Sequence, residues 1–135
     1  MTEFTWPVRV YYEDTDAGGV VYYANYLKFL ERARTEYLRS LGFEQDQLKL
    51  QNGIIFAVHS LSIQYRKPAV FNDALTVSAL VIDRGKATLT FRQMVTRERD
   101  KALVCSAEVK IACLQADTFS PARIPANILE VLDGN

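Results

Sequence analysis

The stretch Tyr12-Glu13-Asp14-Thr15-Asp16-Ala17-Gly18-Gly19-Val20-Val21-Tyr22-Tyr23-Ala24-Asn25-Tyr26 decides how the chain is read, because the hydrophobic period changes across it. Upstream, Trp6 to Tyr12 alternates, with Val8, Val10 and Tyr12 on one face, and is predicted as a first strand. Downstream, from Tyr22 to Leu41, Tyr23, Leu27, Leu30, Ala33, Leu38 and Leu41 recur at helical spacing, with Lys28, Glu31, Arg32, Glu36 and Arg39 supplying charge elsewhere. Gly42 suits the stop of this helix, which at twenty residues would run about 30 Å. Between strand and helix, aspartates and glycines favour turns and caps.

Beyond the helix, Glu44 to Gln51 is a candidate short helix before Asn52-Gly53. The remainder reads as strands. Leu61, Ile63 and Tyr65 alternate with Ser60, Ser62 and Gln64. Leu75, Val77, Ala79 and Val81 follow, then Ala87, Leu89 and Phe91. Leu103, Cys105, Ala107, Val109, Ile111 and Cys113 complete the pattern. Period-2 alternation implies one covered face, and the short polar breaks imply antiparallel hairpins. Ser120 to Pro125 is expected as a loop and Ala126 to Leu132 as a weak last helix. One strand, one long helix and four further strands make an α+β arrangement, residues 1–135 forming one domain. The helix must bury its stripe on the covered sheet face, so the sheet wraps around it. Such a sheet has edges, which invite pairing with a second copy.

Bulk properties exclude several classes. At 49% apolar and 24% charged residues the composition is that of a globular protein, which at this length needs no staple to fold. Sixteen basic residues balance sixteen acidic ones, removing any global argument for nucleic-acid binding. Cys105 and Cys113 lie on one predicted strand, roughly 26 Å apart, too far for a disulfide; they are expected to be inert core thiols. No metal site is expected, because no Cys-x-x-Cys or Cys/His cluster exists. Neither a signal-peptide pattern nor a membrane-spanning run is seen, so a reduced, cytoplasmic location is expected. His59, the single histidine, shares a predicted strand face with Leu61 and Ile63 and is expected to be partly buried. One histidine, far from any serine signature, argues against a Ser-His-Asp hydrolase.

The chemistry should sit where the strand feeds the helix. A helix N-terminus presents unpaired N–H groups and the positive end of its dipole, which can polarise a carbonyl. A carboxylate nearby could attack that carbonyl or deprotonate water. From spacing alone, however, turn and cap chemistry accounts better for Asp14, Asp16, Gly18 and Gly19, because Asp-Gly turns before helices are common.

The segment VYYEDTDAGGVVYYANYLKFLERAR reverses that order. It resembles the signature of the 4-hydroxybenzoyl-CoA thioesterase family, and looks closest to the Tol-Pal-associated, YbgC-like acyl-CoA thioesterases. The resemblance continues through YRKPAVFND, DRGKATLTF and the terminal ARIP, over nearly the whole chain. It implies a hotdog fold, a five-stranded antiparallel sheet around one long helix, and homodimers or homotetramers with active sites at the subunit interface. It also implies hydrolysis of an acyl-CoA without a cofactor, CoA being part of the substrate. Asp16, the second acid of Asp-x-Asp, corresponds to the family's catalytic carboxylate, and the amide of Tyr23 to its carbonyl-polarising donor. The YbgC-like branch usually carries histidine where this chain has Tyr23; the hydroxybenzoyl branch carries an aromatic pair, as Tyr22-Tyr23 does here. A backbone donor does not depend on that side chain.

Candidate substrate-binding residues are Gly19 and Val20 beside Asp16, Asn25 and Tyr26 in the first helical turn, and Glu31, since the family can bring a helical acid near the site. Asn25 and Tyr26 are read equally well as simple first-turn residues, and Glu31 as part of a solvated face. The phosphates of CoA need cations at the pocket mouth, for which Arg84 and Lys86 flanking Gly85, with Arg66, Lys67 and Arg123, are candidates. Two other readings stay open: a thioesterase acting on acyl carrier protein, and a non-enzymatic interaction protein. A CoA-linked hydratase is disfavoured, because it would need a histidine paired with an acid.

Overall fold

Inward-facing residues of three strands are sealed from solvent: Leu75, Val77 and Ala79 of β3 (Ala74–Arg84), Leu89, Phe91 and Val95 of β4 (Thr88–Arg97), and Cys105, Val109 and Cys113 of β5 (Leu103–Gln115). The computed structural model describes residues 3–134. With β1 (Phe4–Arg9) and β2 (Ile54–Tyr65) these strands form one antiparallel sheet in the order β1-β3-β4-β5-β2. Helix α1 (Asn25–Ser40) lies in the curl of the sheet, burying Tyr26, Phe29, Leu30, Ala33, Tyr37 and Leu38. The Tyr37 ring meets Phe91 edge-on at 6.0 Å and Phe4 at 5.6 Å, so the helix touches both the centre and the β1 side of the sheet. Helices α2 (Gln45–Asn52) and α3 (Ala126–Gly134) add Leu48 and the pair Ile128 and Leu132 to the core. This is the hotdog architecture. No helix among the described residues is long and apolar enough to cross a membrane.

One polar strut crosses the core. Arg34, buried on α1, donates to Gln93 Oε1 at 3.0 Å, and Gln93 Nε2 donates to the carbonyls of Leu30 (3.0 Å) and Ser78 (3.2 Å). Burial lowers the Arg34 pKa, opposed by nearby Glu31. A buried amide satisfied on both sides fixes the rotation of α1 against the sheet better than apolar packing alone.

Several expectations are corrected. Tyr12 does not end the first strand on an inward face. It is 75% exposed in a 3-10 turn (Tyr12–Asp14), because the Asp14 carboxylate captures the Tyr11 N–H at 2.8 Å and folds the chain back. The long helix begins at Asn25, not Tyr22, and runs about 24 Å over its 16 residues. Tyr23 and Leu27 therefore fall outside the buried stripe, at 61% and 37% exposure. Gly42 does end the helix, with φ +96° and the Phe43 N–H returning to the Leu38 carbonyl. Strand β2 starts at Ile54, well before Ser60, and is exposed along most of its length because it is the edge of the sheet. His59 is exposed rather than partly buried. It sits at a bulge, where the pairing with β5 passes from Val58 to Ser60 and skips it.

Candidate active site

The two acids of Asp14-Thr15-Asp16 have opposite environments. Asp14 is buried, and both its oxygens are engaged, one by the Tyr11 N–H and the other by Asn25 Nδ2 at 2.9 Å. It is an anchor that joins the loop to the first residue of α1. Asp16 is exposed. Its Oδ1 accepts the Gly18 N–H at 2.9 Å, and its second oxygen makes no hydrogen bond among the described residues. The Asp16 backbone closes a tight hairpin, its N–H donating to Val20 and its carbonyl accepting from Gly19. Gly19 takes φ +82°, which a side chain would resist.

This hairpin is clamped from below. Thr15 bridges Val21, Val20 bridges Val70, and the Val21 N–H donates to the Ala69 carbonyl at 2.9 Å. The 68–73 segment is itself fixed. The Ala69 N–H donates to the Tyr26 hydroxyl, Arg97 Nη1 donates to the Pro68 carbonyl, and Asp73 accepts from the Val70 N–H and from Arg99. The Asp16 loop thus rests on a second loop tied to both helix and sheet.

The helix start beside it is open. Its N-cap, Ala24, has no side chain to cap with, and the first turn carries no acid. The Tyr22 and Asn25 amides are satisfied by Asp14 and Tyr22 carbonyls, whereas the Tyr23 amide makes no backbone hydrogen bond among the described residues. The Tyr23 carbonyl accepts from the Tyr65 hydroxyl at 3.2 Å, and the Tyr23 and Tyr65 rings meet edge-on. A spare carboxylate oxygen, an unpaired amide and a positive dipole end are what a developing oxyanion and an activated nucleophile require.

Val21, Tyr23, Tyr26, Tyr65, Arg66 and Lys67 line a cavity of about 280 Å³ next to this loop. Burial raises the pKa of the Tyr26 and Tyr65 hydroxyls, which keeps them neutral. Arg66, its Nη2 donating to Gln64, and Lys67 are the phosphate candidates placed beside the site. Arg84, Lys86 and Arg123 are at the opposite end of the sheet. There the Ile124 N–H donates to the Lys86 carbonyl, which brings the Arg123 segment against the β3–β4 hairpin. A strand the length of β3 spans roughly 33 Å, so these three do not share a site with Asp16 inside one subunit. Glu31 is also apart. It bonds the Thr35 hydroxyl and lines a separate cavity of about 150 Å³ with Arg34 and Phe56. Asn25, expected equally as a lining or a first-turn residue, is buried and gives its amide to Asp14.

Sequence reading missed Tyr65 and the pair Ala69–Val70. The segment YRKPAVFND belongs to the resemblance, yet only its pairing with Val20 and Val21 reveals that it carries the Asp16 loop. Burial pushes the Cys105 thiol up to about 12 and raises that of Cys113, so neither is a nucleophile. Among the described residues no group of three or more His, Cys, Asp or Glu is placed to hold a metal.

These features define a class: a hotdog domain that holds a free carboxylate ahead of an uncapped helix start, an arrangement suited to acyl transfer to water. The profile of the Thioesterase-like superfamily matches residues 10–132, and the chain belongs to that family. It is 45% identical over 125 residues to the acyl-CoA thioesterase YbgC of Haemophilus influenzae, covering 93% of this chain and 90% of that one. It is 40% identical over 128 residues to the acyl-CoA thioester hydrolase YbgC of Escherichia coli O157:H7, covering 95% and 94%. Among solved structures, a DHNA-CoA thioesterase from Staphylococcus aureus superposes with a TM-score of 0.92 at 26% identity, covering 99% of this chain and 91% of that one. A 4-hydroxybenzoyl CoA thioesterase mutant complexed with 4-hydroxybenzoyl CoA superposes with a TM-score of 0.90 at 23% identity, covering 96% and 98%, and shares the fold.

Proposed function

We propose that this protein hydrolyses an acyl-CoA thioester to the free acid and CoA, with Asp16 as the carboxylate and the Tyr23 amide as the carbonyl-polarising donor. The observation that carries this reading is the division of labour in Asp14-Thr15-Asp16: Asp14 is fully bonded and buried, while Asp16 keeps an oxygen free in the loop that leads into an uncapped helix. Its close similarity to proteins named acyl-CoA thioesterases supports the substrate class. In the reaction, the thioester oxygen gains charge against the Tyr23 N–H as the carbonyl carbon is attacked. With Asp16 as base, the carboxylate takes a proton from the attacking water and passes it to the thiolate as the C–S bond breaks, leaving the free acid and CoA thiol. With Asp16 as nucleophile, the C–S bond breaks to leave an Asp16–acyl anhydride and a thiolate that is protonated from water. A second water then hydrolyses the anhydride to free the acid and restore the carboxylate. No cofactor is needed for these steps.

The working unit in this reading is a cytoplasmic homodimer, from which a tetramer could be built. Strand β2 offers a 12-residue edge on which Val58, Leu61 and Tyr65 are 49%, 40% and 45% exposed. An apolar edge of that length is unprotected in a monomer, and pairing with a second β2 covers it. Pairing would also bring the cations at the far end of the sheet, Arg84, Lys86 and Arg123, into play from a partner.

The test is free-thiol release from short, long and aromatic acyl-CoAs by wild type and Asp16→Asn. Hydrolysis by wild type with a loss of 100-fold or more in the mutant is expected, about 2.7 kcal/mol of transition-state stabilisation. Equal turnover by the mutant would sink the assignment. Cleavage of acyl carrier protein thioesters alone would move the substrate class.

A further inference from the structure

Phe119 is misplaced for an isolated subunit. Its φ is +60°, left-handed backbone that bulky side chains avoid, and its ring is 67% exposed with no aromatic partner among the described residues. The turn that presents it is firm. The Phe119 N–H donates to the Gln115 carbonyl, the Gln115 N–H donates to Ser120, the Thr118 and Ser120 hydroxyls bond at 2.7 Å, and Leu114 bridges Pro121. A rigid hairpin tip therefore holds an apolar ring two-thirds in water and in a costly conformation.

The position of the tip gives the ring a destination. The turn adjoins the start of β2, since Ile54 pairs with Gln115 and the Ala116 N–H donates to the Gly53 carbonyl. Tyr65 is at the other end of β2, bonded to Tyr23 and lining the cavity beside the Asp16 loop. Within one chain the two ends of the strand are roughly 36 Å apart. Antiparallel pairing of β2 with the β2 of a second copy reverses the direction, so the Phe119 end of one subunit arrives beside the Tyr65 end of the other.

We propose that Phe119 is a specificity-determining residue supplied in trans, its ring closing the open aromatic side of the other subunit's cavity and forming the outer wall against which the acyl group packs. The observations beneath it are the strained, exposed ring at one end of the edge strand and the exposed Tyr23 and Tyr65 rings at the other. It rests on the thioesterase dimer proposed above and adds the residue that completes each site.

The experiment uses wild type, Phe119→Ala, Asp16→Asn, and a D16N/F119A heterodimer isolated with two affinity tags, each checked for mass by light scattering. The readout is the ratio of kcat/KM for a long or aromatic acyl-CoA to that for acetyl-CoA. In the F119A homodimer this ratio should shift five-fold or more. In the heterodimer the only intact Asp16 sits in the F119A chain and faces an intact Phe119, so the wild-type ratio should return. An unchanged ratio in the F119A homodimer, or a heterodimer that keeps the F119A ratio, overturns the proposal. A monomeric wild type overturns it together with the dimer. Turnover by the D16N homodimer removes the Asp16 assignment instead, and the F119A homodimer still decides for Phe119.

Discussion

Asn25 Nδ2 donates to Asp14 Oδ1 at 2.9 Å, and this buried bond ties the first residue of α1 to the loop that carries Asp16. The same carboxylate holds the Tyr11 N–H, so one side chain sets the exit from β1 and the entry to the helix. Asn25→Ala leaves a buried carboxylate oxygen without its partner, which costs about 1–3 kcal/mol. Urea denaturation should show that loss, and kcat should fall with it because the helix start loses its fixed relation to Asp16. A variant as stable as wild type would mean that Asp14 is held without Asn25.

Gly18 and Gly19 separate two effects in adjacent residues. A β-carbon at Gly19 meets nothing within 4 Å, so Gly19→Ala acts only through its φ of +82°. The expected cost is about 1–2 kcal/mol of stability. At Gly18 the backbone is ordinary, yet a β-carbon would lie 3.2 Å from Asp16 Oδ1. Gly18→Ala should therefore leave the melting temperature nearly unchanged and lower kcat several-fold by displacing the carboxylate. Thermal melts beside thiol-release kinetics check both, and the idea fails if the two variants lose stability and kcat in the same proportion.

Acid stability should depend on Asp100. Its carboxylate accepts two hydrogen bonds from Arg97, at 2.6 and 3.0 Å, and Arg97 holds it at about 2 against an ordinary 3.8. The folded-state value is the lower one, so the contribution is complete above about pH 4 and is lost as pH falls towards 2. Glu98, held low by Lys101 and Thr76, adds a slope in the same direction. Asp100→Asn should flatten the fall in urea midpoint between pH 5 and 2 without abolishing it. Because Arg97 also holds the Pro68 carbonyl under the Asp16 loop, the same variant should lose some kcat at neutral pH. Parallel wild-type and mutant curves would rule the pair out.

What the sequence revealed follows from which signals are local. Strands β3, β4 and β5 were legible because each is buried on one face, so Leu75-x-Val77-x-Ala79 and Leu89-x-Phe91 alternate cleanly. Strand β2 was half missed because an edge exposed along most of its length has no polarity to read, and its bulge moved His59 off the inferred face. The helical period extends back through Tyr22 and Tyr23, so it puts the helix start too early. The Asn25 bond to Asp14, eleven residues away, is a contact no period records. Asp16 was picked out by its motif. The Ala69–Val70 support and the Tyr65 hydroxyl reach the site through pairings of roughly 40 to 50 residues' separation, which only the fold supplies.

Arg66 and Lys67 are the phosphate candidates that the fold sets beside the Asp16 loop, which separates them from Arg84, Lys86 and Arg123, and Arg66 offers the planar fork suited to a phosphate. Its main chain is fixed by its N–H to the Val104 carbonyl, so truncating the side chain should not disturb the strand end. The guanidinium rests on Gln64, a neutral partner that a phosphate would displace readily. Arg66→Ala should raise KM for acyl-CoA about ten-fold, near 1.4 kcal/mol, with kcat little changed, since the contact is equal in ground and transition states. Added salt should raise the wild-type KM towards the mutant value. Acyl-pantetheine, which lacks the nucleotide phosphates, should be cleaved equally by both proteins. If R66A instead lowers kcat on acyl-pantetheine, Arg66 acts on the reacting centre, and the phosphates must be held by Lys67 or by Arg84, Lys86 and Arg123 supplied from a second copy.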